Sequence, residues 1–210
     1  RQRDGDTRPF FGFVLLDAPH QPYNNPGGPF EPTIDSLNYI ELGITTEGPE
    51  LESLVERMFN SYKNSVLHAD GTAGNLLATL RRSGELDNTV VLVTGDHGEE
   101  FQENGYWGHT CNFSREQVEV PFLLVGPGIE PGVETRPTSH IDISNSLLEL
   151  LGADPAERRN YSLGESLFDP PVERARVVAG WSDIGLWTRT GIFDLPLDVD
   201  ADEIWVYDDA

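Results

Sequence analysis

The chain has 210 residues, 38% hydrophobic and 24% charged, enough for one sizeable domain or a domain with a small appendage. Its 36 acids stand against 14 bases, thirteen Arg and the single Lys63, for a net charge of −22. That balance excludes nucleic acid as a partner, since its affinity rests on Lys and Arg at phosphates, and an acidic surface of this kind stays hydrated in high salt.

The chain opens on Arg1, without a visible signal peptide, and has no apolar run near the roughly 18 residues of a membrane span. It reads as a piece of a longer protein, so a targeting segment or anchor upstream stays open. Its one cysteine, Cys111, cannot form an intrachain disulfide and is expected to be a small buried residue.

Phe10 to Asp17, apolar on both faces, predicts a central strand. Residues 24–49, rich in Asn, Gly and Pro, predict a long surface loop of the length often used for binding. Pro49 then opens a long helix. Its apolar positions, from Leu51, Leu54 and Met58 to Leu77 and Leu80, recur at helical spacing. Gly71 and Gly74 predict a kink or a close helix–sheet contact, and Gly84 the stop. His68 and Asp70 point in different directions on this helix and are read as structural.

Thr89 to Val93 and Val120 to Val125 predict strands, and Ile141 to Leu151 a helix ended by Gly152. His140, at that helix's start, reads as a residue of its capping region or as an anion-binding residue at a helix N-terminus. After Pro171 the texture changes to short strands, Val177–Trp181, Gly185–Thr190 and Ile204–Tyr207, separated by acidic turns. The expected organisation is therefore an α/β part over residues 1–171 and a β-rich appendage over 172–210.

In α/β sheets the strand C-terminal ends carry the site. Asp96 and His97 follow the second predicted strand directly, and His109 lies twelve residues further on. A carboxylate beside an imidazole suits a divalent ion such as Zn²⁺, Mn²⁺, Mg²⁺ or Ca²⁺. The same pair equally suits a turn in which Asp96 caps the following segment. His109, after Gly108, reads as a substrate ligand or an acid protonating a leaving oxygen, or as a hydrogen-bonded loop histidine. His20, between Pro19 and Pro22 past the first predicted strand, reads as an anion-binding or a surface-loop histidine.

These segments match a family in order and spacing. Residues 84–100, ending Val93-Thr94-Gly95-Asp96-His97-Gly98-Glu99-Glu100, resemble the downstream metal motif of sulfatases, within the alkaline-phosphatase-like superfamily. Ala18-Pro19-His20-Gln21-Pro22-Tyr23 resembles that family's strand-end His-x-Pro element. Tyr106-Trp107-Gly108-His109, Val120 to Gly128 and Ser139 to Ile143 continue the pattern. The stretches 106–115 and 161–168 are similar to the periplasmic domain of inner-membrane sulfatase-like proteins of the YejM type.

The resemblance implies a mixed central sheet flanked by helices, incomplete at its N-terminus, with one divalent metal. It implies Asp96 and His97 as metal ligands, and His109 and His20 as groups touching the sulfate, phosphate or leaving group. It implies a sulfuric ester hydrolase acting on a sulfate or phosphate ester. Transfer of phosphoryl-alcohol groups among envelope lipids, or a regulatory role without catalysis, are the other readings. It implies a periplasmic or extracellular location, with membrane attachment through an upstream segment. No Cys-x-Pro-x-Arg or similar nucleophile motif occurs in these residues, so half a site, inactive alone, is expected.

Overall fold

The computed structural model describes residues 8–24, 26–34, 46–197 and 205–207. They divide after Val90 into two compact units. In the first, helix α1 (Pro49–Arg82) runs for 34 residues. Pro49 sits in its first turn with Glu50 and Glu52, and Arg81 and Arg82 close the last turn, each charge complementing the helix dipole. Gly84, at φ 74°, ends it. The Gly84 N–H reaches Arg81 O at 3.2 Å and the Glu85 N–H reaches Leu80 O at 3.0 Å, the paired bonds of a Schellman stop.

Helix α1 runs unbroken through Gly71 and Gly74, where a Cβ would meet open space, so the close contact expected at these glycines is not formed. The expected apolar face is buried only at Leu54 and Met58. A polar row does the rest. Arg57 Nε donates to Thr33 O at 3.0 Å and Asn60 Nδ2 to Pro32 O at 3.0 Å. Ser61 Oγ accepts from the Ile34 N–H at 3.1 Å. Asn64 takes both the N–H (3.2 Å) and the carbonyl (2.9 Å) of Phe30. These residues, spaced as one helix face, take up backbone groups of residues 30–34 that pair with no strand among the described residues. Lys63 packs its ammonium 4.6 Å from the Phe30 ring and 4.9 Å from Phe59.

The strand expected over residues 10–17 is absent. Phe11 is 86% and Phe13 79% exposed. An apolar run becomes a strand only when a neighbour pairs its backbone, and among the described residues none does.

In the second unit, β1 (Val91–Thr94) pairs antiparallel with β4 (Phe122–Val125), Val91 opposite Val125 and Thr94 opposite Phe122. Between them lies a two-residue-strand hairpin, β2 (Glu100–Phe101) with β3 (Trp107–Gly108), and a single helical turn, α2 (Arg115–Val118). Helix α3 (Ile141–Leu150) follows. Its polar face, like that of α1, is stitched to backbone. Buried Asp142 accepts the N–H of Ser139 and of Glu165, each at 2.8 Å, and pairs with Arg174. Ser146 accepts the Leu167 N–H at 2.8 Å, and Asn145 donates to Gly164 O at 2.6 Å.

The remaining strands form an antiparallel meander, β5 (Arg176–Ala179), β6 (Asp183–Thr188), β7 (Gly191–Pro196) and β8 (Trp205–Tyr207). Strand β7 lies in a stretch the sequence pattern did not mark. The meander holds the loop before α2. Phe113 is buried against Gly185, where a Cβ would come within 2.6 Å of its ring. Trp187 Nε1 donates to Phe113 O at 3.1 Å.

Two buried carboxylates follow opposite rules. Glu100 is fully enclosed, yet its two oxygens take five donors. Oε1 accepts from the N–H groups of Asn104 (2.8 Å) and Tyr106 (3.1 Å). Oε2 accepts from Gln117 Nε2 (2.7 Å), Asn112 Nδ2 (2.9 Å) and Ser114 Oγ (3.2 Å). Burial alone would raise its pKa, but the bonds from Gln117, Asn112, Asn104 and Tyr106 together hold it below the usual value. Asp194 is buried without a partner for its Oδ1 among the described residues, and burial, with Asp183 nearby, pushes its pKa up.

Glu100→Gln swaps one acceptor oxygen for a donor amide facing other donors. It should cost about 1–3 kcal/mol at neutral pH, read as a fall in Tm of roughly 2–4 °C per kcal/mol. Because the folded pKa of Glu100 is lowered, that stabilisation is present above its unfolded pKa and is lost as pH falls through the folded one. Asp194 has the reverse sign, its raised pKa making stability full below the unfolded pKa and lost as pH rises through the folded one. Asp194→Asn should therefore raise Tm at neutral pH, the gain disappearing toward about pH 3.

Candidate active site

The site is built at the end of β1. The chain leaves the strand at Thr94, turns through Gly95, and presents Asp96 and His97. At Gly98 the backbone passes so close to α2 that a Cβ would sit 2.0 Å from the Glu116 carbonyl oxygen, so only glycine fits. The Gly98 N–H donates to Gln117 O at 2.8 Å. Strand β2 then carries the chain away, the hairpin returns it along β3, and His109 arrives beside His97. Their rings stack with centroids 3.8 Å apart.

Each group has a defined orientation. A carbonyl only accepts, so the 2.8 Å contact between His97 Nδ1 and Gly98 O places the proton on Nδ1 and leaves the Nε2 lone pair open. Asp96 Oδ1 accepts the His97 N–H at 3.1 Å, and Asp96 Oδ2 lies 3.8 Å from His97 Nε2. Glu99 accepts from His109 Nδ1 at 2.8 Å. That hydrogen bond raises the pKa of His109. Burial opposes it, and the charges of Glu99 and Asp96 add to it. The imidazole is thereby biased toward its protonated form, with Nε2 as its second N–H.

His97, Glu99 and His109 place one ligand atom each within 4.8 Å of one another, a donor set that suits a divalent cation. The chemistry of this group fits the expected metal, with the carboxylate of Asp96 adjoining it.

Of the four residues singled out from the sequence, Asp96, His97 and His109 come together. His20 lies in the first unit, where its Nδ1 donates to Gln21 O at 2.7 Å. Cys111, expected to be buried, is exposed. Its N–H donates to Gln117 Oε1 at 3.1 Å, and its thiol is set against the carbonyls of His109 at 3.6 Å and Trp107 at 3.7 Å. Partial burial, with Glu100 and Glu99 nearby, pushes the thiol pKa up, which disarms it as a nucleophile.

Three residues of the site escaped the sequence reading. Glu99 orients His109, Gln117 clamps both Gly98 and Cys111, and His140 donates from Nε2 to Gly95 O at 2.9 Å, pinning the turn before Asp96. Glu99 stood within the motif beside Glu100, but only the hairpin shows which acid faces His109. Next to His109, Thr110 adopts φ 67°, a left-handed conformation rarely taken by a β-branched residue.

Comparison with known proteins places this geometry. The sequence model of the family described as Sulfatase matches residues 2–153. The chain is 34% identical over 132 residues to a choline-sulfatase of Rhizobium meliloti, covering 63% of this chain and 24% of that protein. Its fold matches a phosphonate monoester hydrolase of Silicibacter pomeroyi with a TM-score of 0.65 at 19% identity, over 80% of this chain and 37% of that one. It also matches a protein in the alkaline phosphatase superfamily from Vibrio parahaemolyticus, with a TM-score of 0.54 at 18% identity, over 91% of this chain and 42% of the other. The α/β architecture is that of the alkaline-phosphatase superfamily, and the chain spans between a quarter and about two fifths of the length of these relatives. With the family model covering well over half its length, the chain belongs to the sulfatase family.

Proposed function

We propose that this chain carries the downstream part of a metal-dependent sulfuric ester hydrolase. Asp96 Oδ2 and His97 Nε2 are the metal-ligating atoms, His109 is the acid that protonates the leaving oxygen, and Glu99 orients it. The observation carrying this reading is the split of one tight cluster into two tasks. Glu99 accepts from His109 Nδ1, while the Nε2 lone pair of His97 and the carboxylate of Asp96 face one another at 3.8 Å. His20 is assigned to contact with the substrate anion by the likeness of its Ala18–Tyr23 segment alone.

The substrate is a sulfate ester, with phosphate esters as the chemical near neighbour. A divalent ion bound by Asp96 and His97 would supply positive charge to the ester oxygens. The nucleophile is supplied by residues other than these 210. As the S–O bond breaks, the ester oxygen takes the proton from His109 Nε2, and Glu99 holds the ring in the tautomer that can give it. The chain alone, having no nucleophile motif, turns nothing over. We assign residues 1–171 to the catalytic part and 172–210 to a β-rich appendage. A periplasmic or extracellular site of action follows from the family reading. No helix of the described residues is long and apolar enough to cross a membrane.

In the complete protein, His109→Ala should lower kcat on a sulfate ester by about 10²–10⁴-fold while leaving Mn²⁺ uptake, measured by calorimetry, intact. Asp96→Ala or His97→Ala should abolish both uptake and turnover. Chelation should inactivate the wild type, and a divalent ion should restore it. Full turnover after chelation, or an unimpaired His109→Ala variant, would remove this reading.

A further inference from the structure

We infer that His97, Glu99 and His109 form a zinc position that overlaps the proposed reaction site and shuts it off when filled. The inference rests on the hydrolase reading above and adds its regulation. The three side chains leave the turn after β1, the residue before β2 and the residue after β3. Each places one ligand atom within 4.8 Å of the others. Tetrahedral zinc, with ligands at about 2.0–2.1 Å, sets its donors roughly 3.4 Å apart, so side-chain movements of about 1 Å close the group on an ion.

The donors are two imidazoles and one carboxylate, a set that takes zinc with a fourth position left to water. Magnesium and calcium ask for oxygen shells instead. His97 is prepared as a ligand, because its Nδ1 donates to Gly98 O at 2.8 Å and fixes both the ring and the tautomer. The His109 ring, 3.8 Å away by centroid, keeps the second nitrogen donor beside it. The Glu99 side chain is 7% exposed, against 85% for Asp96. A carboxylate withdrawn from water gains more from a cation than one at the surface.

Asp96 is outside this group, although its Oδ2 lies 3.8 Å from His97 Nε2. His97 has one lone pair to give, since Nδ1 is spent on Gly98 O. It serves either an ion beside Asp96 or an ion beside Glu99 and His109, and not both. In the first state His109 keeps its bond to Glu99 and the proton on Nε2. In the second, zinc takes His109 through one ring nitrogen, and either choice disables the acid. Ligation at Nε2 sends to solvent the proton meant for the leaving oxygen. Ligation at Nδ1 displaces the bond from Glu99 that orients the ring.

The test titrates Zn²⁺ and Mn²⁺ separately into the complete protein and its variants by calorimetry. Glu99→Gln and His109→Ala should each weaken zinc uptake by at least about 100-fold, beyond the loss from a residue that only orients a ligand. Both should keep Mn²⁺ uptake, which shows that they fold. Asp96→Ala should keep zinc and lose Mn²⁺, and His97→Ala should lose both. Rising Mn²⁺ should raise the apparent Kd for zinc in proportion, as one shared ligand requires. Zinc should inhibit turnover of a sulfate ester by the wild type, and excess Mn²⁺ should relieve it. A smaller loss of zinc in Glu99→Gln or His109→Ala puts the ion elsewhere on the acidic chain and overturns the position. Zinc lost in Asp96→Ala, Mn²⁺ lost in Glu99→Gln or His109→Ala, or zinc that supports turnover as well as Mn²⁺ does, merges the two states and overturns the shut-off. The uptake pattern needs no turnover. If it holds while no ester is hydrolysed, the zinc position stands and only the hydrolase reading falls.

Discussion

The site depends on one buried carboxylate. Among the described residues Glu100 has no Lys or Arg against it, only neutral donors, in a chain that holds a large excess of acid. A buried charge is tolerated when its lone pairs are filled. Filling them draws in the hairpin tip through Asn104 and Tyr106, the loop after His109 through Asn112 and Ser114, and helix α2 through Gln117. Three segments far apart along the hairpin are thereby fixed to one point. The two-residue strands β2 and β3 are too short to achieve this by their own ladder.

From that anchor the division of labour follows. Gln117 uses its side chain on both sides, its amide donating to Glu100 and its oxygen accepting the Cys111 N–H, while its backbone carbonyl takes the Gly98 N–H. The turn carrying His97 and the turn carrying His109 are therefore referenced to the same residue, which brings the rings into contact without either contributing much packing of its own. The neighbouring acid, Glu99, just before β2, accepts from His109 Nδ1 instead. One Glu builds the frame and the next tunes His109. The strained Thr110 is held from outside by the meander, through Trp181, with Phe113 and Trp187 fixing the loop just beyond.

What the sequence made legible was where polar groups gather past a strand end. Asp96, His97 and His109 follow an apolar run and a glycine turn at short separation, and the structure brings them together, while the roles proposed for them came from the family resemblance and not from the pattern. The long helix and its glycine stop were readable because periodicity and a C-terminal Gly are local. Non-local pairing was not readable. Residues 10–17 have the composition of a strand, but composition says that a segment is apolar and not which segment pairs with it. The backbone-satisfying roles of Asn64, Asn145 and Gln117 left no trace either, because an amide on a helix face reads the same whether it meets solvent or a carbonyl. Cys111 was misjudged as well: its N–H and its thiol both hydrogen-bond the surrounding loop, yet the residue stays exposed.

The charge balance poses a problem that the local geometry answers. A chain of net charge −22 has to accept an anionic ester in the proposed reaction. Arginine would be the usual solution, yet the arginines around the second unit are committed elsewhere. Arg158 pairs with Glu149 and Asp169, Arg174 with Asp142, Arg159 with Glu165, Arg115 with Glu119 and Arg189 with Glu173. They hold the fold and its surface together. In that proposal the attraction for the anion falls to groups effective at short range, the imidazole of His109, whose pKa the Glu99 hydrogen bond raises, and an ion that Asp96 and His97 would hold. Distant surface carboxylates are screened over about 8 Å at physiological salt, so the proposed binding of an anionic ester turns on these short-range contacts and not on the net charge of the chain.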